Sequence, residues 1–162
     1  MKTVYLGLGS NLGDREARLR EAVARLEAAE VHILRRSPVY ETEPQDVLDQ
    51  GWFLNAVVEA ETMLFPIQLL ERTQKIEREM GRQRGKTGGA RVIDIDILLY
   101  GRFVIHTPQL EIPHSRMTGR RFVLEPLAAL APELRHPLTG RTVRELLSEI
   151  QGQRVIATDV VL

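Results

Sequence analysis

Arg91–Tyr100 reads RVIDIDILLY, and the placement of its two aspartates decides how the rest of the chain is read. Val92, Ile93, Ile95, Ile97, Leu98 and Leu99 give it the composition of a buried β-strand. Aspartate is disfavoured in strands and is rarely buried without a partner. Side chains alternate along a strand, so Asp94 and Asp96 share one face while Ile93, Ile95 and Ile97 share the other. Residues two apart are separated by about 6.5–7 Å at the backbone. At an effective dielectric of about 20, two carboxylates that far apart repel by about 2.5 kcal/mol. The aspartate face therefore calls for positive charge.

Working outward from this strand gives the order of elements. Upstream, Pro66 opens a helix with Leu69, Leu70, Thr73, Ile76 and Met80 along one side, and Gly81 is its natural stop. Residues 31–40 (VHILRRSPVY) and 52–62 (WFLNAVVEAET) read as strands. The intervening ETEPQDVLDQG (41–51) is longer than a hairpin needs, and such loops are often functional. Residues 3–8 form the first strand, and from Asp14, a plausible N-cap, Leu19, Ala22, Val23 and Leu26 follow helical spacing. The order β-α-β-β-α-β is the split-βαβ, ferredoxin-like pattern. The expected architecture is α+β: an antiparallel sheet with flanking helices, three layers α/β/α, and a short C-terminal extension. Downstream, Gly101-Arg102 is expected to turn the aspartate strand into a hairpin with FVIH (103–106). Helices are expected over Phe122–Leu130 and Thr142–Ile150, the latter opened by a Thr142–Glu145 capping box.

A chain of 162 residues is one domain's worth, and residues 1–162 are read as a single domain. With 22 basic and 22 acidic residues the net charge is zero, which argues against a general nucleic-acid or membrane-surface binder. The absence of cysteine excludes disulfides, thiolate metal sites and a cysteine nucleophile. No signal peptide or membrane span is evident, so a cytoplasmic protein is expected, with no nucleic-acid or membrane partner. No sequence feature fixes the oligomeric state, and a monomer is favoured.

Two phosphate-loop motifs fail on spacing. GLGSNLGD (7–14) follows a strand and precedes a helix, but the third glycine of a dinucleotide fingerprint falls one residue late, at Gly13. Two successive strands also break the alternating pattern that fold requires. GRQRGKT (81–87) has three residues between Gly81 and Gly85 where a Walker A loop has four, and it runs from helix to strand. No helix N-terminus would face a phosphate there.

The combination that works lies around the aspartates. Arg82, Arg84, Lys86 and Arg91 precede them, and His114, Arg116, Arg120 and Arg121 follow in a Pro/Gly-punctuated stretch. Carboxylates that hold magnesium, with guanidinium forks around them, are what phosphoryl-group transfer requires. Singly, each feature has an ordinary explanation: a solvated strand face, a basic surface loop, a hydrogen-bonded structural histidine. Together they point to one site. His32, His106 and His136 show no partner pattern and receive no role.

LGLGSNLGDR (6–15), FLNAVV (53–58), RVIDIDILLYG (91–101), IPHSRM (112–117) and RRFVLEPLAALAP (120–132) together resemble the 6-hydroxymethyl-7,8-dihydropterin pyrophosphokinase family along nearly the whole chain. The resemblance implies that ATP donates its β,γ-pyrophosphate to the pterin hydroxymethyl group, leaving AMP, in folate biosynthesis. It implies ATP and 6-hydroxymethyl-7,8-dihydropterin as partners and two Mg2+ ions held by Asp94 and Asp96. Arg82 and Arg91 would be catalytic with these aspartates, contacting or steering the phosphates. Arg84, His114 and Arg120 would bind ATP with Arg91, and Ile97 would line the nucleotide site. Leu70, Gln74 and Glu77 would line it too, and their helical spacing supports this. For the pterin, Thr42 would offer backbone, Asn55 an amide edge and Asp94 a carboxylate, with the ring between Phe53 and Phe122.

The sequence departs from the family in places. Gly88 stands where a loop tryptophan is common, Ser115 where a tyrosine is common, and Glu43 and Gln45 replace more apolar residues. No residue is an obvious strong base for the pterin hydroxyl; Asp96 and a metal-bound hydroxide are both open. Two competing readings are a non-catalytic ferredoxin-like module for an effector or RNA and a different metal-dependent nucleotidyl transferase. The first lacks the aromatic strand motif of RNA binders and has no use for paired aspartates among arginines. The second would release pyrophosphate instead of AMP.

Overall fold

Among the described residues, eight strands and four α-helices follow one another along the chain. They are β1 (Lys2–Ser10), α1 (Arg15–Ala28), β2 (Val31–Arg36), β3 (Tyr40–Thr42), β4 (Phe53–Thr62), α2 (Pro66–Glu79) and β5 (Asp94–Tyr100). Then come β6 (Ile105–His106), β7 (Glu111–Ile112), α3 (Arg121–Leu130), α4 (Val143–Ser148) and β8 (Val155–Ala157). The computed structural model describes residues 1–44, 51–81 and 91–162. The main sheet has the order β5-β1-β4-β3-β8, with β2 also paired to β4 and every pairing antiparallel.

The expected strand over 31–40 is two strands sharing one edge of β4. β2 pairs with residues 58–62 and β3 with residues 53–55. The interruption is at Ser37-Pro38, where proline has no N–H to give the ladder. Ser37 bridges the gap: its N–H donates to the Val57 carbonyl at 2.9 Å and its Oγ accepts from the Val57 N–H at 2.8 Å. β8 adds a strand beyond β3 that no sequence signal announces.

Local signals set the helix starts. Asp14 accepts from the Ala17 N–H at 3.1 Å, and Thr142 and Glu145 form a reciprocal capping box. Pro66 sits in the first turn of α2, where a missing N–H is harmless. One sheet face packs on α1 and α2: Val4, Leu6, Leu8, Ile95 and Ile97 meet Leu19, Leu26, Leu69 and Ile76. The other packs on α3 and α4, where Tyr5, Val57, Leu98 and Leu99 meet Val123, Leu124, Leu127 and Leu146. The result is the three-layer α/β/α arrangement expected. Each fully buried leucine, such as Leu19 or Leu124, contributes about 1.5–3 kcal/mol of burial.

A register shift on β5 sorts its side chains between these two cores. Leu6 pairs with Ile97 and Tyr5 with Leu99, so Leu98 is the extra residue. Ile93, Ile95 and Ile97 enter the α1/α2 core, Leu98 and Leu99 the α3/α4 core, and Tyr100 returns to the first. The hairpin expected between the aspartate strand and residues 103–106 does not form. Gly101, at φ +53°, turns the chain, and β6 pairs with β7 instead of with β5. Among the described residues no helix is long and apolar enough to cross a membrane.

Candidate active site

A cavity of about 440 Å3 collects side chains from β1, β4, β5, α2 and α3 with the 114–120 segment. Asp94 and Asp96 both line it, while Ile97, the other way round on β5, is 5 % exposed in the core. The alternation read from the sequence is the alternation observed. Ile97 is not among the residues that line this cavity, and its side chain packs in the core against α1 and α2. Arg82 and Arg84, with Gln45 and Gly88, lie outside the described residues.

Positive charge on the aspartate face comes from Arg91. Its Nη1 donates to Asp94 Oδ2 at 3.0 Å, and its guanidinium lies over the Phe53 ring, 5.9 Å from the centroid. The Arg91 Nε is buried and has no hydrogen-bond acceptor among the described residues. Asn11 fixes the backbone beneath it: its Oδ1 accepts from the Arg91 N–H at 2.6 Å and its own N–H donates to the Arg91 carbonyl at 3.1 Å. The same side chain donates from Nδ2 to the Gly51 carbonyl at 3.2 Å. One residue of the SNLG turn thus ties down the segments leading into β4 and β5.

His114 is anchored to β5 through its N–H, which donates to the Leu98 carbonyl at 2.9 Å. Its Nδ1 accepts from the Arg116 N–H at 3.2 Å, which assigns the ring proton to Nε2. Burial pushes the imidazole below its ordinary value of 6.5, and Arg120 and Arg116 push the same way against the opposing pull of Asp94. The histidine is therefore a neutral donor at pH 7. Arg120 joins it in the cavity wall, its guanidinium 5.3 Å from the Phe122 centroid.

Leu70, Gln74 and Glu77 line the cavity from α2. Glu77 also supports the sheet. Although 5 % exposed, it accepts from the Ile95 N–H at 2.9 Å. Among the described residues β5 is an edge strand, and this carboxylate satisfies an outward N–H that no described strand reaches.

Thr42, Phe53, Asn55 and Phe122 line the same space. Asn55 is buried, and its Nδ2 donates to Thr42 Oγ1 at 2.6 Å, which leaves Oδ1 directed over Gly9. Gly7 and Gly9 share one face of β1 and leave the floor bare. Glu43, Ser115 and Arg116 also line it. Sequence reasoning does not reach the roles of Gly9 and Asn11. The signal that could find Gly9 is the pair of glycines at strand period, which marks a bare strip on one strand face as readily as a phosphate loop.

Among the described residues no group of three or more His, Asp or Glu side chains gathers to hold an ion. Two partly exposed carboxylates on one strand suit a cation that keeps water and takes phosphate oxygens as its other ligands, which is the habit of Mg2+. The residues present fit that ion.

Comparison with known proteins follows the same lines. The family model described as 7,8-dihydro-6-hydroxymethylpterin-pyrophosphokinase (HPPK) matches residues 5–132. The chain is 49% identical over 137 residues to a 2-amino-4-hydroxy-6-hydroxymethyldihydropteridine pyrophosphokinase of Bacillus subtilis, covering 84% of this chain and 82% of that protein. It is 43% identical over 155 residues to the folic acid synthesis protein fol1 of Schizosaccharomyces pombe, covering 95% of this chain but only 21% of that longer protein. The crystal structure of wild-type Plasmodium falciparum HPPK-DHPS superposes with a TM-score of 0.73 at 19% identity, over 91% of this chain and 44% of that one, and shares the fold.

Proposed function

The chain belongs to the 7,8-dihydro-6-hydroxymethylpterin-pyrophosphokinase family, and from that premise we propose that its cavity transfers pyrophosphate from ATP to 6-hydroxymethyl-7,8-dihydropterin. The observation that carries this reading is that one cavity holds both the paired aspartates with their arginines and the Phe53–Asn55–Phe122 group. The first set suits a polyphosphate and the second a flat, hydrogen-bonding ring.

In the reaction, the pterin hydroxymethyl oxygen attacks the β-phosphorus of ATP. The bond between the α,β-bridging oxygen and that phosphorus breaks, AMP leaves, and the hydroxyl proton is released. The protein's contribution is positioning and charge neutralisation. Asp94 and Asp96 would hold two Mg2+ ions with the triphosphate. Bound there, the ions would neutralise charge on the transferring phosphates. Arg91, held by Asn11 and Asp94, would present its remaining donors to phosphate oxygens, and Arg120 would do so from the opposite wall. His114 would donate its Nε2–H as a neutral partner. Asn55 would present its Oδ1 to the ring's donors, while Phe53 and Phe122 cover its faces. Arg82 and Arg84 are assigned to the triphosphate on the resemblance alone. The reading includes a single-domain, monomeric, cytoplasmic enzyme.

The test incubates the protein with ATP, Mg2+ and the pterin and separates the nucleotides. AMP forming in step with pterin diphosphate, and stopping when EDTA removes the metal, supports the reading. Pyrophosphate released without AMP refutes it.

A further inference from the structure

Gln153 lies beyond the span 5–132 and has no place in the site as described so far, yet it joins two walls of the cavity. Its Nε2 donates to the Glu43 carbonyl at 2.8 Å, and its Oε1 accepts from the Phe122 N–H at 3.1 Å. Both Glu43 and Phe122 line the cavity, and Gln153 itself is 9 % exposed. A primary amide carries its donor and acceptor on one rigid plane, so satisfying both at once fixes the spacing between them.

Each end of this bridge meets a backbone group in need of a partner. Phe122 is in the first turn of α3, where N–H groups have no intrahelical acceptor, and Arg120 at the N-cap provides no side-chain bond. Gln153 caps that turn from 31 residues away. At the other end, β8 extends the sheet beside β3, pairing Val155 with Thr42. The Glu43 N–H donates to the Arg154 carbonyl at 3.2 Å, and the Arg154 N–H donates to Glu43 Oε1 at 2.8 Å. Thr42 in turn holds Asn55. A continuous path therefore runs from Phe122 through Gln153 and Glu43 to Thr42 and Asn55.

We infer that Gln153 is a positioning residue for the pterin: it sets the distance between the Phe122 ring and the Thr42–Asn55 edge. This rests on the pterin reading of the cavity. Both bonds of the Gln153 amide go to the pterin walls, Glu43 and Phe122, and not to the aspartate strand or α2, so its loss acts chiefly on the pterin.

The experiment compares wild type with Gln153→Ala and Gln153→Glu. The Glu variant keeps an acceptor for the Phe122 N–H but turns a carboxylate oxygen toward the Glu43 carbonyl, so it breaks one end of the bridge without opening a void. Calorimetry measures pterin affinity in the presence of Mg2+ and α,β-methylene-ATP, and separately the affinity for that analogue. Steady-state assays give KM for each substrate, and thermal melts confirm folding. Expected is a tenfold or larger rise in pterin Kd and KM for both variants, with nucleotide Kd within twofold of wild type. Folded variants that bind pterin as wild type does, or lose both ligands equally, overturn the inference while the functional reading stands. A wild-type protein that binds no pterin under these conditions overturns both.

Discussion

Gly9 faces Asn55 across the β1–β4 pair, and a Cβ built on Gly9 would lie 2.5 Å from Asn55 Oδ1. The amide is not free to yield, because its Nδ2 is held by Thr42 at 2.6 Å. Gly9→Ala is therefore expected to displace the Asn55 carbonyl. Strain of about 1–3 kcal/mol should appear in the melting curve. The pterin KM should rise by an order of magnitude or more while ATP affinity holds. Unchanged pterin affinity in the alanine variant would mean that Asn55 does not read the ring.

Asp94 accepts a 3.0 Å bond from Arg91, and Asp96 shares its strand face and lines the same cavity. Asp96→Ala should lower turnover by roughly two to three orders of magnitude, the rate equivalent of several kcal/mol of lost charge stabilisation. The variant should remain folded, because relief of the like-charge repulsion with Asp94 offsets contacts that Asp96 loses. Asp94→Ala should lose as much activity and also slow the chemical step through Arg91, as Arg91→Ala would alone. Single-turnover kinetics at saturating Mg2+ make the measurement, and near-normal rates in a folded Asp96 variant contradict it.

Glu77 is the buried acceptor for the Ile95 N–H. Glu77→Ala strands that donor and should cost about 1–3 kcal/mol of stability. Glu77→Gln, which keeps an acceptor oxygen, should recover most of the loss. Chemical denaturation of the two variants decides the point: equal destabilisation would show that the charge, not the hydrogen bond, matters.

His114 is held below its ordinary value of 6.5, mainly by burial. The unfolded chain then takes up this proton at a higher pH than the folded one. Stability is full above about pH 6.5 and is lost as pH falls through the folded value. His136, also lowered by burial, acts in the same direction. His114→Gln should therefore flatten, but not abolish, the fall in melting temperature between about pH 7 and pH 5. An unaltered pH profile in that variant refutes the assignment.

Periodicity and local hydrogen bonding determined much of this protein without any tertiary information. The aspartate face of β5, the Asp14 cap and the Thr142–Glu145 box depend on residues at most a few positions apart, so the sequence displays them directly. The same holds for Leu70, Gln74 and Glu77, one helical turn apart along α2. Tertiary structure alone decided what crosses between elements. Asn11 reaches Arg91 across 80 residues, Gln153 reaches Glu43 across 110, and the extra residue at Leu98 divides β5 between two cores. Ile95 and Ile97 show the limit: alternation sets both opposite the aspartates, yet Ile95 lines the cavity and Ile97 does not. A side-chain pattern specifies which way a residue points along its own element. The partner it meets there is set by how the elements stack, and that follows from burying the whole apolar surface at once.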